Sequence, residues 1–183
     1  SENYLGNPLL TANLSADIPA NLSCSLWLLN LPEDVTVKEL LRPIRGYGRV
    51  FATVINPPSK DAGHMGAAAK IIFFELRAAQ AMFHDSKSNP SLFTIRNMVP
   101  LINMNRIRTA ESNLPISHSR VLIIRGPKDL VNNDRLTAFF MEKGITWEME
   151  TMITHGNTVP GHTTQEWRFG SYRAQAIAAY LKL

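Results

Sequence analysis

Seven cations stand between residues 86 and 128: Lys87, Arg96, Arg106, Arg108, Arg120, Arg125 and Lys128, against the single carboxylate of Glu111. A local balance of +6 is suited to neutralising phosphates, which makes a polyanion the first chemistry to consider. The chain of 183 residues carries only +4 overall, so everything outside that stretch sums to −2. Other chemistries lack parts. His155 and His162 bracket a loop without a third residue at metal-ligand spacing. Cys24 is the only cysteine, which excludes a disulfide framework and a cysteine zinc site. Gly46-Tyr47-Gly48 lacks the Lys and Ser/Thr of a phosphate loop, and no Ser, His and acid set carries a local signature. The sequence therefore predicts a non-enzyme with no catalytic residue, no metal and no cofactor.

The elements that would carry these residues repeat. Leu26-Trp27-Leu28-Leu29-Asn30-Leu31-Pro32 is an apolar strand closed by proline, and Val121-Leu122-Ile123-Ile124-Arg125-Gly126-Pro127 follows the same pattern 95 residues later. Beyond it the spacing is 96: Leu40 with Leu136, Ile44 with Phe140, Gly48 with Gly144, Phe73 with Phe169, Ala78 with Ala174. So long a unit means two similar domains rather than a solenoid. The expected division is an N-terminal extension over 1–22, a first domain over 23–108, a polar, extended linker over 109–118 and a second domain over 119–183.

In the first half, strands are predicted at 25–31, 50–55, 69–74 and 101–107 from β-branched and large apolar runs. A helix begins at Thr36 with Glu39 completing a capping box, puts Val37, Leu40, Leu41 and Ile44 on one face, and ends at Gly46-Tyr47-Gly48. A second helix begins over 78–83, with Ala79, Met82 and Phe83 inward, and 56–66 is loop. The series is β-α-β-β-α-β. The second half gives strands at 120–124, 147–153 and 164–169, helices at 133–143 and 172–181, and a loop at 155–162. The counterpart of 101–107 falls beyond residue 183, so the expected class is α+β, two ferredoxin-like domains, the second lacking its last strand in this chain. That leaves an open sheet edge, a place for a protein partner or a second copy. Strand alternation points Leu26 and Leu28 towards the helices and Trp27 and Leu29 to the open face. Leu122 and Ile124 are assigned to the open face of the second sheet by the same pattern.

Leu26-Trp27-Leu28-Leu29-Asn30-Leu31 resembles the six-residue ribonucleoprotein motif on the first strand of RNA-recognition-motif domains, with Trp27 at its aromatic position. The pattern Thr36, Leu40, Ile44 and Gly48-Arg49-Val50, and Ala69-Lys70-Ile71-Ile72-Phe73 as the end of the eight-residue motif, are similar to that family as well. The likeness covers 24–108 well and 119–183 more weakly, and its details, including Phe93 and Asn105-Arg106, resemble a tandem, divergent pair from filamentous fungi. It implies a four-stranded sheet whose open face stacks bases. It also implies that the two third-strand stacking positions fall on Ala68 and Lys70, leaving Trp27 alone of three rings. The second half has Leu122, Thr164 and Glu166 at the corresponding places, and a carboxylate there repels a phosphate chain.

The resemblance thus implies weak single-stranded RNA binding through the first sheet and the basic last strand, at Trp27, Leu29, Asn30, Lys70, Ile72, Asn103, Asn105, Arg106 and Arg108. The second domain is expected to be structural or protein-binding. The alternative is a pair whose sheets serve protein contact or self-association without RNA, with Trp27, Leu29 and Ile72 as a covered apolar patch. Apolar residues at 45% and charged residues at 19% exclude a disordered tail. No run approaches the ~20 apolar residues of a membrane span, and no secretory signal is visible at Ser1-Glu2-Asn3-Tyr4. Asn13-Leu14-Ser15 and Asn21-Leu22-Ser23 are accordingly taken as chance glycosylation patterns. The expected location is intracellular, the nucleus ahead of the cytoplasm on the family's usual role.

Overall fold

Apolar residues at every second position pair four segments into the first sheet of the computed structural model, which describes residues 14–59, 63, 65–156 and 158–183. Asn13 of the first glycosylation pattern and parts of both long loops lie outside the described residues. Strands β1 (Ser25–Leu31), β2 (Val50–Asn56), β3 (Ala67–Phe73) and β4 (Leu101–Met104) lie in the order β2-β3-β1-β4, all antiparallel. Helices α1 (Val37–Leu41) and α2 (Leu76–Ser88) cover one face. Leu26, Leu28, Ala69, Ile71 and Ile102 pack there against Val37, Leu40, Leu41, Ala78, Ala79 and Met82. This is the ferredoxin-like β-α-β-β-α-β arrangement.

Helix α1 starts where the sequence predicts, with Thr36 and Glu39 making both bonds of the capping box. It stops at Leu41, a turn earlier than expected: Arg42 still has helical dihedrals (φ −58°, ψ −52°), but Pro43 has no N–H to continue the helix's hydrogen bonds. Gly46, at φ 98°, only completes the turn that follows. Arg96 pairs with both Asp34 and Glu39, and its guanidinium with the Thr36 cap holds the Glu39 carboxyl down at about 2.

The second sheet has three strands, β5 (Val121–Pro127), β6 (Met149–His155) and β7 (His162–Phe169), in the order β5-β7-β6. Helix α3 (Asn133–Glu142), a wide turn over Tyr172–Ala176 and α4 (Ile177–Tyr180) cover it. The expected 172–181 helix is broken at its start, where Arg173 is extended (ψ 130°) and Ala174 is left-handed (φ 62°).

The register corrects the repeat. Trp27 pairs with Lys70, and the equivalent pair in the second sheet is Ile123 with Glu166, so the spacing is 96 from the first strand onward. Leu122 pairs with Trp167 and packs, with Ile124, on the helix-side core; neither lies on the open face. Ile123 does, 51% exposed.

The residues after β4 do not form a loose spacer. Thr109 accepts from the Cys24 N–H, Ser112 donates to the Phe74 carbonyl, and Arg49 donates to the carbonyls of Pro115 (3.1 Å) and His118 (2.8 Å). The two sheets share a junction. Phe74 at the end of β3 is fully buried among residues of the second core, with Phe51 at 5.1 Å and Tyr172 at 5.2 Å between ring centres. The Ser171 hydroxyl accepts from the Thr53 N–H at 2.8 Å and donates to the Thr53 carbonyl at 3.1 Å. Glu150, its side chain wholly buried, receives Arg45 and, at 2.6 Å, Arg120.

Burial opposes ionisation of Glu150, but the two arginines outweigh it and hold the carboxyl below its usual range. Its stabilisation is therefore complete above the unfolded carboxyl value and is lost as pH falls through the lowered one. Glu150→Gln is expected to cost on the order of 3 kcal/mol at neutral pH, because one partner of a buried ion group is removed. Urea unfolding of the variant against the wild type checks this, and the gap between them should close as the pH is lowered below about 4.

Candidate nucleic-acid interface

The open face of the first sheet is built by the same alternation that fills its core. Across the strands one row reads Asn103 on β4, Trp27 on β1, Lys70 on β3 and Val54 on β2, each pairing with the next. Trp27, Lys70 and Asn103 are half-buried and Val54 is exposed. A ring, an ammonium and an amide are thus presented side by side, at the roughly 5 Å spacing of neighbouring strands. Among the described residues Trp27 has no hydrogen-bond partner for its indole. Ala68 also lies on this face, beside Asn56, so the third strand offers no second ring.

Two effects disfavour the charge of Lys70. Burial lowers its pKa first, and the positive charge of Arg173, from the wide turn of the second module, lowers it further. Arg173 carries no signal in the sequence, since its approach depends on the break at Ala174.

The remaining residues expected at this surface divide. Leu29 and Asn30 are both exposed because β1 bulges there: Asn30 is left-handed at φ 61°, a conformation asparagine tolerates. Its amide donates to the Val99 carbonyl at 3.0 Å. Ile72 is not available, being 4% exposed under Cys24, Ala52, Phe51 and Leu76. Asn105 is buried, its amide nitrogen on Ser25 Oγ at 2.9 Å and its oxygen accepting from the Ile107 N–H, so its role is structural. Arg108 donates to the Ile18 carbonyl at 2.6 Å and holds the N-terminal segment. Arg106 is exposed, and no other described residue bonds to its side chain.

The basic stretch is mostly engaged in holding the fold. Lys87 donates to the Ile102 carbonyl at 2.6 Å, Arg96 caps α1 through its two carboxylates, and Arg120 pairs with Glu150. Arg106, Arg125 and Lys128 alone have side chains without a partner among the described residues. Of these, Arg125 and Lys128 belong to the second module, and Arg106 follows β4 of the first sheet. Cys24 offers no nucleophile, as burial pushes its thiol up to about 12.

The second sheet presents Ile123, Glu166 and Ile153 in the matching row. Glu166 is bound by His155 Nε2 at 2.8 Å and by Arg168, which keep its carboxyl below the usual range. An aliphatic pair around an engaged carboxylate gives a base no ring. Among the described residues no group of three or more His, Cys, Asp or Glu could hold a metal ion, and no helix is long and apolar enough to cross a membrane.

No family model matches this chain, and no curated protein does. Solved structures similar to it include the Sex-lethal RNA recognition domains 1 and 2 from Drosophila melanogaster, at 17% identity over 87% of this chain and 93% of that one (TM-score 0.32). The first two RRM domains of yeast Poly(U) Binding Protein, Pub1, are 15% identical over 86% and 88% (TM-score 0.36). The C. elegans NONO-1 homodimer is 14% identical over 90% and 56% (TM-score 0.33).

A ring on an open face contributes little to folding, whereas Trp167 is fully buried against Phe140 and Phe169. Trp27→Ala is therefore expected to change unfolding free energy by less than about 1 kcal/mol, and Trp167→Ala to cost roughly 3–5 kcal/mol. Denaturant titration of both variants measures the difference. A large loss at Trp27 would mean the ring is covered.

Proposed function

We propose that this chain is an RNA-binding protein that takes single-stranded RNA weakly on the open face of its first sheet. The observation that carries the reading is the pairing of Trp27 with Lys70: a part-exposed ring directly beside a cation, on the face opposite the described helices α1 and α2. A base stacks on Trp27, Lys70 meets the phosphate beside it, and Asn103 offers an amide to a base edge. Leu29 and the exposed Arg106 border the path. With one ring in place of several, affinity is modest, since each stacked base contributes roughly 1–3 kcal/mol. The second module is structural, joined to the first through Phe74, Tyr172 and Ser171. The nucleus is the proposed location.

A second reading rests on β5, which has no strand on its outer side among the described residues. Leu122, Ile123, Ile124, Tyr180, Leu181 and Leu183 line a groove of about 540 Å³ along that edge. A second copy of the chain, with its own β5 running antiparallel, would cover it.

Fluorescence anisotropy with mixed single-stranded RNA tests the first reading. Binding should weaken steeply with salt, and Trp27→Ala and Lys70→Glu should each lower affinity at least about fivefold. Absence of binding at micromolar protein and low salt contradicts it. If light scattering then shows mass rising with concentration, the second reading takes its place.

A further inference from the structure

Where β5 ends and the hairpin between β6 and β7 turns, the second module has an open cavity of about 580 Å³. Among the described residues it is lined by Arg125, Gly126, Gly156, Thr158, His162 and Thr164, with Val159 as the single apolar side chain. The register explains how they meet. Arg125 pairs with Thr164 and Pro127 with His162, so Arg125 and His162 are diagonal neighbours on one face of the sheet. Such neighbours stand roughly 7–8 Å apart, within reach of long side chains. The Lys128 N–H donates to the Gly161 carbonyl at 2.9 Å and ties the end of β5 to the hairpin.

The lining has the chemistry of an anion site. Arg125 is exposed, and its guanidinium has no hydrogen bond or ion pair with any described residue. Arg45, Arg49, Arg96, Arg108 and Arg120 by contrast each hold a carboxylate or a carbonyl. His162 Nδ1 lies 3.3 Å from the Pro160 carbonyl; a carbonyl only accepts, so Nδ1 donates and Nε2 is left for a ligand. No described lining residue is a carboxylate, and in the neighbouring row Glu166 is already bound by His155 and Arg168. The two glycines differ. A Cβ at Gly126 would meet Val131 Cγ2 at 2.8 Å, so this glycine serves packing, whereas a Cβ at Gly156 would meet nothing within 4 Å.

The planar fork of an arginine takes two oxygens of a phosphate, and hydroxyl or ring groups beside it take the others. A phosphate monoester has its second ionisation near about pH 6, so it can present a proton to Nε2 or leave the imidazole charged. A diester has no such proton. With one apolar side chain and no ring except the imidazole, the described lining offers a base no platform.

We propose that this cavity is a site for a phosphate monoester, held by the Arg125 guanidinium on two oxygens and by His162 Nε2 and the Thr158 hydroxyl on the others. The site gives the second module a ligand of its own and does not depend on the RNA reading of the Trp27 face. A small phosphorylated molecule and the phosphorylated end of an RNA strand offer the same group.

Titration of the full chain with inorganic phosphate, followed by amide NMR shifts and compared with sodium chloride at equal ionic strength, tests the site. Saturable shifts are expected at Gly126, Gly156, Thr158 and His162. Arg125→Ala should weaken phosphate binding at least about tenfold, the loss of a charge-assisted contact. Arg125→Lys keeps the charge without the fork and should fall between the two. Gly156→Glu adds a carboxylate where a side chain has room, and should abolish binding without unfolding the chain. Trp27→Ala should leave phosphate binding unchanged, whatever it does to RNA. An end-phosphorylated RNA that binds more tightly than the same strand with a free hydroxyl end, by a margin lost in Arg125→Ala, identifies an RNA end as the source. Equal binding of the two strands beside saturable phosphate binding identifies a small molecule. Shifts that grow linearly with phosphate and match those of chloride overturn the inference, as do saturable shifts that survive Arg125→Ala.

Discussion

An outer strand cannot leave its backbone groups in a dry place without partners, and β2 of the first sheet meets that constraint through one hydroxyl. Ser171 accepts from the Thr53 N–H and donates to the Thr53 carbonyl, so a single side chain of the second module serves where a neighbouring strand would. The Thr53 hydroxyl returns a bond to the Gly170 carbonyl at 2.9 Å. Around this contact the Phe51, Phe74 and Tyr172 rings exclude water, and the Glu150 carboxylate draws Arg45 and Arg120 to the other side of the junction. The two sheets are thereby fixed against one another.

The charge pattern takes on a different meaning in three dimensions. A stretch with a balance of +6 suggests a continuous basic path, yet Lys87, Arg96, Arg108 and Arg120 each hold a carbonyl or a carboxylate that the fold requires. Arg96 ties the segment before β4 to α1, Arg108 holds the N-terminal segment and Arg120 binds the buried Glu150 at the junction. The cation standing in the open row is Lys70, which lies outside the stretch. Charge per segment is a statement about composition; a binding face depends on which ammonium or guanidinium is left pointing outward.

Much of the fold is legible from the residues. The capping box at Thr36 and Glu39, the strand alternation around Trp27 and the internal repeat give the element order and the missing eighth strand before any coordinates. The failures are instructive because each has one physical source. Taking the first strands at a spacing of 95 instead of 96 moves Leu122 and Ile124 to the wrong face, since a one-residue slip in a strand inverts every side chain. Ile72 has the right parity for the open face but is covered by Cys24, Phe51 and Leu76, which only the packing of the junction reveals. Asn105 looks like a polar contact and is instead a bridge to Ser25. Arg173 and Ser171 were beyond reach, because the break at Ala174 is imposed by tertiary contacts and has no glycine to mark it.

The junction requires the two sheets to behave as one body in solution. Residual dipolar couplings of backbone amides in β1–β4 and β5–β7, measured in a weakly aligned sample, test this most directly. A single alignment tensor fitting both sets, in the orientation fixed by Thr53 and Ser171, is the result the account predicts. Two tensors of different magnitude and orientation would show modules that tumble separately, and would contradict the junction.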